Sequence, residues 1–200
     1  RAVATDGHRL AQVQFPRPEG ANAMPGIIVP RKTVLELTKL IEAAEGEVGI
    51  ALSSSKIRFA IDGLTLTSKL IDGTFPDYER VIPRHNDKTL QVDTRLFTQA
   101  VDRVSTISSE KGRAVKLNIS AEKILLTVNN PDSGSAEEEV TATYNADPLD
   151  IGFNSRYLLD IVGQFKGDTA NFDFADAGSP TIIRDPADGS ALYVLMPMRV

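Results

Sequence analysis

One arrangement recurs along this chain: an apolar strand, a helix entered from a polar or proline-marked start, then several strands of alternating polarity. Three copies can be read. The first has a strand at 26–29, a helix after Pro30 carrying Val34, Leu35, Leu37, Thr38 and Ile41, and strands at 47–52, 56–61 and 64–70. Val34, Leu37 and Ile41 stand at three-and-four spacing and predict one apolar helix face. The second opens at 89–92 and uses Asp93 or Thr94 as N-cap. Its helix runs through Leu96, Phe97, Ala100, Val101, Val104 and Ile107, and its strands lie at 115–119, 123–128 and 138–144. The third opens at 149–153 and caps on Asn154 or Ser155. It carries Tyr157, Leu158, Ile161, Val162 and Phe165 and ends in strands at 170–174, 181–184 and 191–196.

A β-α-β-β-β unit cannot bury both its helix face and its sheet face alone, so such units should pair around a shared core. The expected class is therefore α+β, with helices on one face and antiparallel sheets on the other. Copies two and three would form one two-unit domain over 84–200. Copy one, preceded by a hairpin over residues 1–15, would be the trailing half of an earlier domain over 1–83. The boundary is expected in the turn-rich stretch 75–88, which holds Pro76, Pro83 and a polar run from Arg84 to Lys88. The chain also opens at Arg1 inside what reads as a strand, as a fragment lacking its N-terminal portion would.

Composition narrows the chemistry. With 42% hydrophobic and 24% charged residues over 200 positions, the chain can bury one good core or two smaller ones. No apolar run reaches the length of a membrane span and no signal-peptide core stands at the start, so a cytoplasmic location is expected and no membrane partner. Cysteine is absent and there are two histidines, which argues against thiolate, disulfide and zinc chemistry; no metal and no cofactor are expected. A net charge of −5 is opposite to the footprint of a protein that grips nucleic acid tightly by itself.

Motifs of the common catalytic classes, such as GxxxxGK[ST], GxSxG, HExxH and GxGxxG, do not occur, and no catalytic residue is expected. A hydrolase could recruit His8 as a general base beside Asp6, but Asp6-Gly7 reads better as the centre of a tight hairpin turn in which both positions take positive φ. Asp173, Asp176, Asp185 and Asp188 lack the spacing of a calcium loop and read as loop residues. Glu137, Glu138 and Glu139 follow a flexible run and read as an exposed acidic loop.

Four stretches, in one order and at consistent spacing, are more specific. They are Thr5-Asp6-Gly7-His8-Arg9-Leu10-Ala11, Val29-Pro30-Arg31-Lys32, Phe75-Pro76-Asp77-Tyr78-Glu79-Arg80-Val81-Ile82-Pro83, and the terminal Tyr193-Val194-Leu195-Met196-Pro197-Met198-Arg199-Val200. Together they resemble the bacterial β sliding clamp family, the processivity subunit of DNA polymerase III. The resemblance covers the whole chain and implies the DNA clamp fold: three domains of two β-α-β-β-β units each, closed head to tail as a homodimeric ring with helices lining the hole. This chain would match the second half of the middle domain and all of the last.

Such a ring holds double-stranded DNA by enclosure, so its wall needs only weak, sequence-independent phosphate contacts. The resemblance implies that Arg31, Lys32, Lys39, Arg103, Lys111, Arg113 and Arg156 face the DNA, and that Thr106 and Ile107 belong to the ring joint. It also implies a hydrophobic pocket for linear motifs of the polymerase III α subunit, the clamp loader and repair polymerases. The matching positions are Thr5, Gly7, His8, Arg9 and Leu10; Pro76, Arg80 and Val81; Asn154 and Tyr157; and Val194, Leu195, Met196, Pro197, Met198 and Arg199. Adaptable thioethers such as Met196 and Met198 suit a surface that must accept varied side chains. A peptide- or carbohydrate-binding β-rich module without a replication role is the competing expectation.

Overall fold

A computed structural model describes residues 1–109 and 112–200. The chain divides into two compact units, Arg1–Pro16 with Glu79–Val200, and Arg17–Tyr78. The expected boundary follows the chain, whereas compactness follows the sheet: the N-terminal hairpin joins the larger unit because its second strand pairs with the last strand of the chain.

The larger unit holds strands β1 (Ala2–Thr5) and β2 (Arg9–Val13), then β6 (Lys88–Asp93), helix α2 (Thr94–Ser105), β7 (Ala114–Ile119), β8 (Lys123–Asn130) and β9 (Gly134–Tyr144). It continues with β10 (Leu149–Asn154), helix α3 (Ser155–Val162), β11 (Thr169–Phe174), β12 (Thr181–Arg184) and β13 (Ala191–Leu195). The expected order of strand, helix and three strands therefore occurs twice, at β6-α2-β7-β8-β9 and β10-α3-β11-β12-β13. All ten strands form one antiparallel sheet in the order β1-β2-β13-β12-β11-β6-β9-β8-β7-β10. The terminal strand β10 meets the chain just after β13 through a bridge between Gly152 and Met198.

Local chemistry explains both helices. The Asp93 carboxylate accepts the Leu96 amide at 2.7 Å, and the Asn154 side chain accepts those of Arg156 and Tyr157 at 3.0 and 3.3 Å, so of the alternatives at each start the Asx residue is the cap. Helix α2 buries Phe97, Ala100, Val101 and Val104, and α3 buries Leu158, Ile161 and Val162, at the expected spacing. Their apolar faces share a core with strand residues such as Leu117, Leu126, Phe153 and Phe172; Phe97 meets Phe172 edge to face at 5.3 Å.

Three expectations change in this unit. Glu137, Glu138 and Glu139 lie within β9, which begins at Gly134 and pairs with β8 as far as Asn130, so they are strand residues with cross-strand and helix partners. Lys123 reaches Glu139 at 2.6 Å, for example. Leu96 is exposed rather than on the buried face of α2, because it sits one position before Phe97, which enters the core. At the tip of the β1–β2 hairpin only Gly7 has positive φ (85°), and Thr5 pairs with Leu10, so the loop is longer than a two-residue turn.

The smaller unit holds helix α1 (Arg31–Glu42) and strands β3 (Gly49–Leu52), β4 (Lys56–Ile61) and β5 (Leu64–Lys69), in sheet order β3-β4-β5. Here Asp62 and Gly63 both take positive φ, 44° and 79°, and make the tight two-residue turn between β4 and β5. The expected strand at 26–29 is not regular: Pro25 and Pro30 bracket it, and its Ile28 carbonyl accepts one backbone bond, from Ile71. The expected apolar face of α1 is also rotated. Thr33 is buried and shares a 2.6 Å hydrogen bond with Ser68, Leu37 and Leu40 pack on Ile57, Phe59 and Ile61, and Val34 and Ile41 are exposed.

Candidate functional site

The hairpin tip is built by its own polar side chains. One Asp6 oxygen accepts the His8 and Arg9 amides, both at 3.0 Å, and the other accepts Arg9 Nε at 3.1 Å. Thr5 Oγ1 donates to the Arg9 carbonyl at 2.9 Å and accepts the Gly7 amide at 3.2 Å. Burial raises the Asp6 pKa, but the two amides and the Arg9 guanidinium outweigh it and hold the carboxyl below its ordinary value.

Strand pairing then brings this tip to the end of the chain. Leu10 lies opposite Val194 and Arg9 opposite Leu195, and the register continues past β13 with the Met196 amide donating to the His8 carbonyl at 2.9 Å. Beyond it the Met198 amide donates to the Gly152 carbonyl at 2.8 Å. The tail over residues 196–200 is thus tied to the hairpin tip at one point and to β10 at another.

Helix α3 supplies the third side. The Arg9 guanidinium carbon lies 4.2 Å from the centre of the Tyr157 ring, and its Nη1 donates to Asp160 Oδ2 at 2.7 Å. The His8 and Tyr157 rings stack with centres 6.3 Å apart and planes at 26°. Desolvation lowers the Arg9 pKa, yet its hydrogen bonds to Asp160 and Asp6 raise it further, so the cation is locked on.

The structure therefore brings together Thr5, Gly7, His8, Arg9, Leu10, Asn154, Tyr157 and the tail, but it sorts them. Leu10, Val194 and Leu195 are buried and Asn154 caps α3; Met196 is 36% and Val81 44% exposed, and these two offer apolar surface. Pro197 and Met198 are half-buried and Arg199 is exposed. Arg80 is exposed at the end of a short 3-10 turn in the larger unit. Pro76 belongs to the smaller unit, where its carbonyl accepts the Tyr78 amide at 2.8 Å. Sequence reasoning missed Asp160. The signal was its spacing: it stands three residues after Tyr157 and so on the same side of α3.

The basic residues expected to face DNA differ in their surroundings. Arg31 and Lys32 are exposed in the first turn of α1, Lys39 reaches Glu36 at 3.2 Å, and Arg156 is exposed at the start of α3. Arg103 is already engaged by Glu138 on β9. Arg113 is exposed with φ of 47°, and Lys111 lies outside the described residues. Of the two residues expected at a ring joint, Thr106 is exposed as the C-cap of α2, while Ile107 packs on the core and its carbonyl accepts Asn130 Nδ2 at 2.7 Å. Among the described residues no three His, Asp or Glu side chains gather as a metal site, and no helix is long and apolar enough to cross a membrane.

Comparison with known proteins places the chain in a family. Residues 1–77 match the family described as the central domain of the DNA polymerase III beta subunit, and residues 79–199 match its C-terminal domain. The chain is 56% identical over 200 residues to the beta sliding clamp of Caulobacter vibrioides and 40% identical over 202 residues to that of Escherichia coli, covering all of this chain and 54% of each relative. A crystal structure of the Bartonella birtlesii sliding clamp bound to griselimycin superposes with a TM-score of 0.96 at 58% identity, covering 99% of this chain and 54% of that one. The chain thus spans about half the length of the relatives it matches. It belongs to the bacterial DNA polymerase III beta subunit family, the β sliding clamps.

Proposed function

We propose that this chain is part of a DNA sliding clamp, a non-catalytic processivity factor that encircles double-stranded DNA in the cytoplasm and tethers enzymes to it. Residues 1–83 would be the second half of the middle domain and 84–200 the C-terminal domain, in a homodimeric ring with Thr106 and Ile107 at its joint. Holding DNA by enclosure reconciles a net charge of −5 with a DNA function, because a ring needs no tight phosphate grip. Arg31, Lys32, Lys39, Lys111, Arg113 and Arg156, with Arg103 when released from Glu138, would supply the weak contacts.

Partners would dock by linear motifs on the surface formed by the hairpin tip, Tyr157 and the tail. These partners are the polymerase III α subunit, the clamp loader and repair polymerases. The observation that carries this reading is the continuity of β2 with β13, which sets His8 and Arg9 beside Met196. Exposed Met196 and Val81 would receive apolar side chains. Pro76 enters the proposal through the resemblance alone.

The test is calorimetry with a short peptide carrying a leading glutamine and trailing Leu and Phe. Ordering a flexible peptide offsets much of its burial, so a dissociation constant in the micromolar range, about −7 to −8 kcal/mol, is expected. Deleting residues 196–200 removes one wall and should abolish binding. Equal affinity in the intact and shortened chains would show that the peptide sits elsewhere.

A further inference from the structure

We infer that Asp160 is a positioning residue for this docking surface, acting through Arg9 on the Tyr157 and His8 rings; the inference rests on the peptide-docking reading above. Arg9 has two carboxylate partners, and they do different work. Asp6 is three residues away on the same hairpin, so its 3.1 Å contact orients Arg9 only within the tip. Asp160 lies 151 residues further along on α3, and its 2.7 Å contact joins hairpin to helix.

Geometry makes that tie specific. A guanidinium offers its edge to carboxylates and its face to an aromatic ring, and Arg9 uses both, with Asp160 at one nitrogen and the Tyr157 ring 4.2 Å from the central carbon. Because Tyr157 and Asp160 sit one turn apart on α3, fixing one nitrogen of Arg9 holds the guanidinium carbon over the ring. His8, whose carbonyl holds the Met196 amide, stacks on that same ring. Loss of the Asp160 contact leaves Arg9 tethered to its own hairpin and frees both rings beside the tail. With two carboxylates against one guanidinium, Arg9 is also occupied, so it orders the surface and does not act as a free anchor for a partner's carboxylate.

Asp160 and Arg9 keep 46% and 30% of their side-chain surface exposed, so the tie is screened by salt. The experiment uses the unaltered chain, Asp160→Asn and Asp160→Glu, with the glutamine-led peptide of the preceding section. Calorimetry at low salt and near 1 M salt is paired with proton NMR of the His8 ring. Asp160→Asn should weaken binding about two- to fivefold at low salt, the range that exposed ion pairs reach, and the gap should close at high salt. The His8 ring protons should move as the Tyr157 stack loosens while those of His85 stay, and Asp160→Glu should recover most of both effects. Unchanged affinity in Asp160→Asn, or a loss of affinity with the His8 signals unmoved, overturns the inference while the docking reading stands. No binding by the unaltered chain overturns that reading and this inference with it.

Discussion

The carboxylate of Glu138 on β9 receives two nitrogens of Arg103 on α2, Nε at 3.0 Å and Nη2 as a second, parallel bond. The hydrogen bond from Arg103 holds the Glu138 carboxyl below its ordinary value, and the same bond raises Arg103. One of the cations proposed to face DNA is thus neutralised in the free protein. Glu138→Gln should release it. Fluorescence anisotropy with linear duplex across a salt series should show tighter binding, with the slope of log K against log salt steeper by about 0.9, the share of one added phosphate contact. An unchanged slope would mean that Arg103 does not meet phosphate.

Two side chains expected in one pocket should behave differently when shortened. Leu10 is 3% exposed and packed between strands, so Leu10→Ala should cost about 2–4 kcal/mol of stability. Met196 is 36% exposed, and Met196→Ala should cost less than about 1 kcal/mol while still weakening peptide binding. Urea unfolding of both variants separates them, and a large loss in Met196→Ala would place that side chain in the core.

Asp185 is a buried carboxylate whose oxygens accept the Lys166, Gly167 and Ala187 amides at 2.9, 2.9 and 2.8 Å, closing the turn after α3 onto the end of β12. Burial raises its pKa, but the three amides outweigh that and hold it below the ordinary carboxylate value. A depressed carboxyl stabilises the fold above its unfolded pKa, and the contribution is lost as pH falls through the lower, folded value. Asp185→Ala leaves three donors without their acceptor and should cost about 2–3 kcal/mol at pH 7. The gap to the unaltered chain, followed by urea unfolding against pH, should be flat above about pH 5 and shrink below about pH 4. A gap that grows on acidification would refute this sign.

The helices that pair around the core were legible from the sequence because period and cap agreed. Phe97, Ala100, Val101 and Val104 follow Asp93, and Leu158, Ile161 and Val162 follow Asn154. Helix α1 misled because its pattern included Val34 and Ile41, while burial went to Thr33, whose hydroxyl has a partner in Ser68. The tight turn was expected at Asp6-Gly7, but its geometry appears at Asp62-Gly63, while Asp6 spends its side chain on the amides of His8 and Arg9. The resemblance marked Arg9 and Tyr157, but the contact that ties Arg9 to α3 was hidden. Asp160 meets it only after β2 has paired with β13 and α3 has packed beside them, which no local pattern records.

The tail's second anchor depends on a missing side chain. Gly152 on β10 lies under the bridge to Met198, and a Cβ there would stand 2.8 Å from the Met198 carbonyl oxygen and overlap the Val200 side chain. Backbone at that distance cannot yield by a rotamer change, so Gly152→Ala must lift the tail. Because only the segment after Met196 is lifted while β2 and β13 keep their pairing, the fold as a whole should lose only about 1 kcal/mol, the low end for overpacking. The consequence is local: in hydrogen exchange the Met198 amide, now bonded to the Gly152 carbonyl at 2.8 Å, should lose its protection. The Met196 amide, held by His8, should keep its own. Peptide affinity should fall roughly tenfold, because the wall beyond Met196 is no longer seated, whereas the Leu10 and Val194 pairing beneath it is untouched. Protection at Met198 and affinity both equal to those of the unaltered chain would show that the tail accommodates the methyl group without moving, and that its seat on β10 is not what shapes the site.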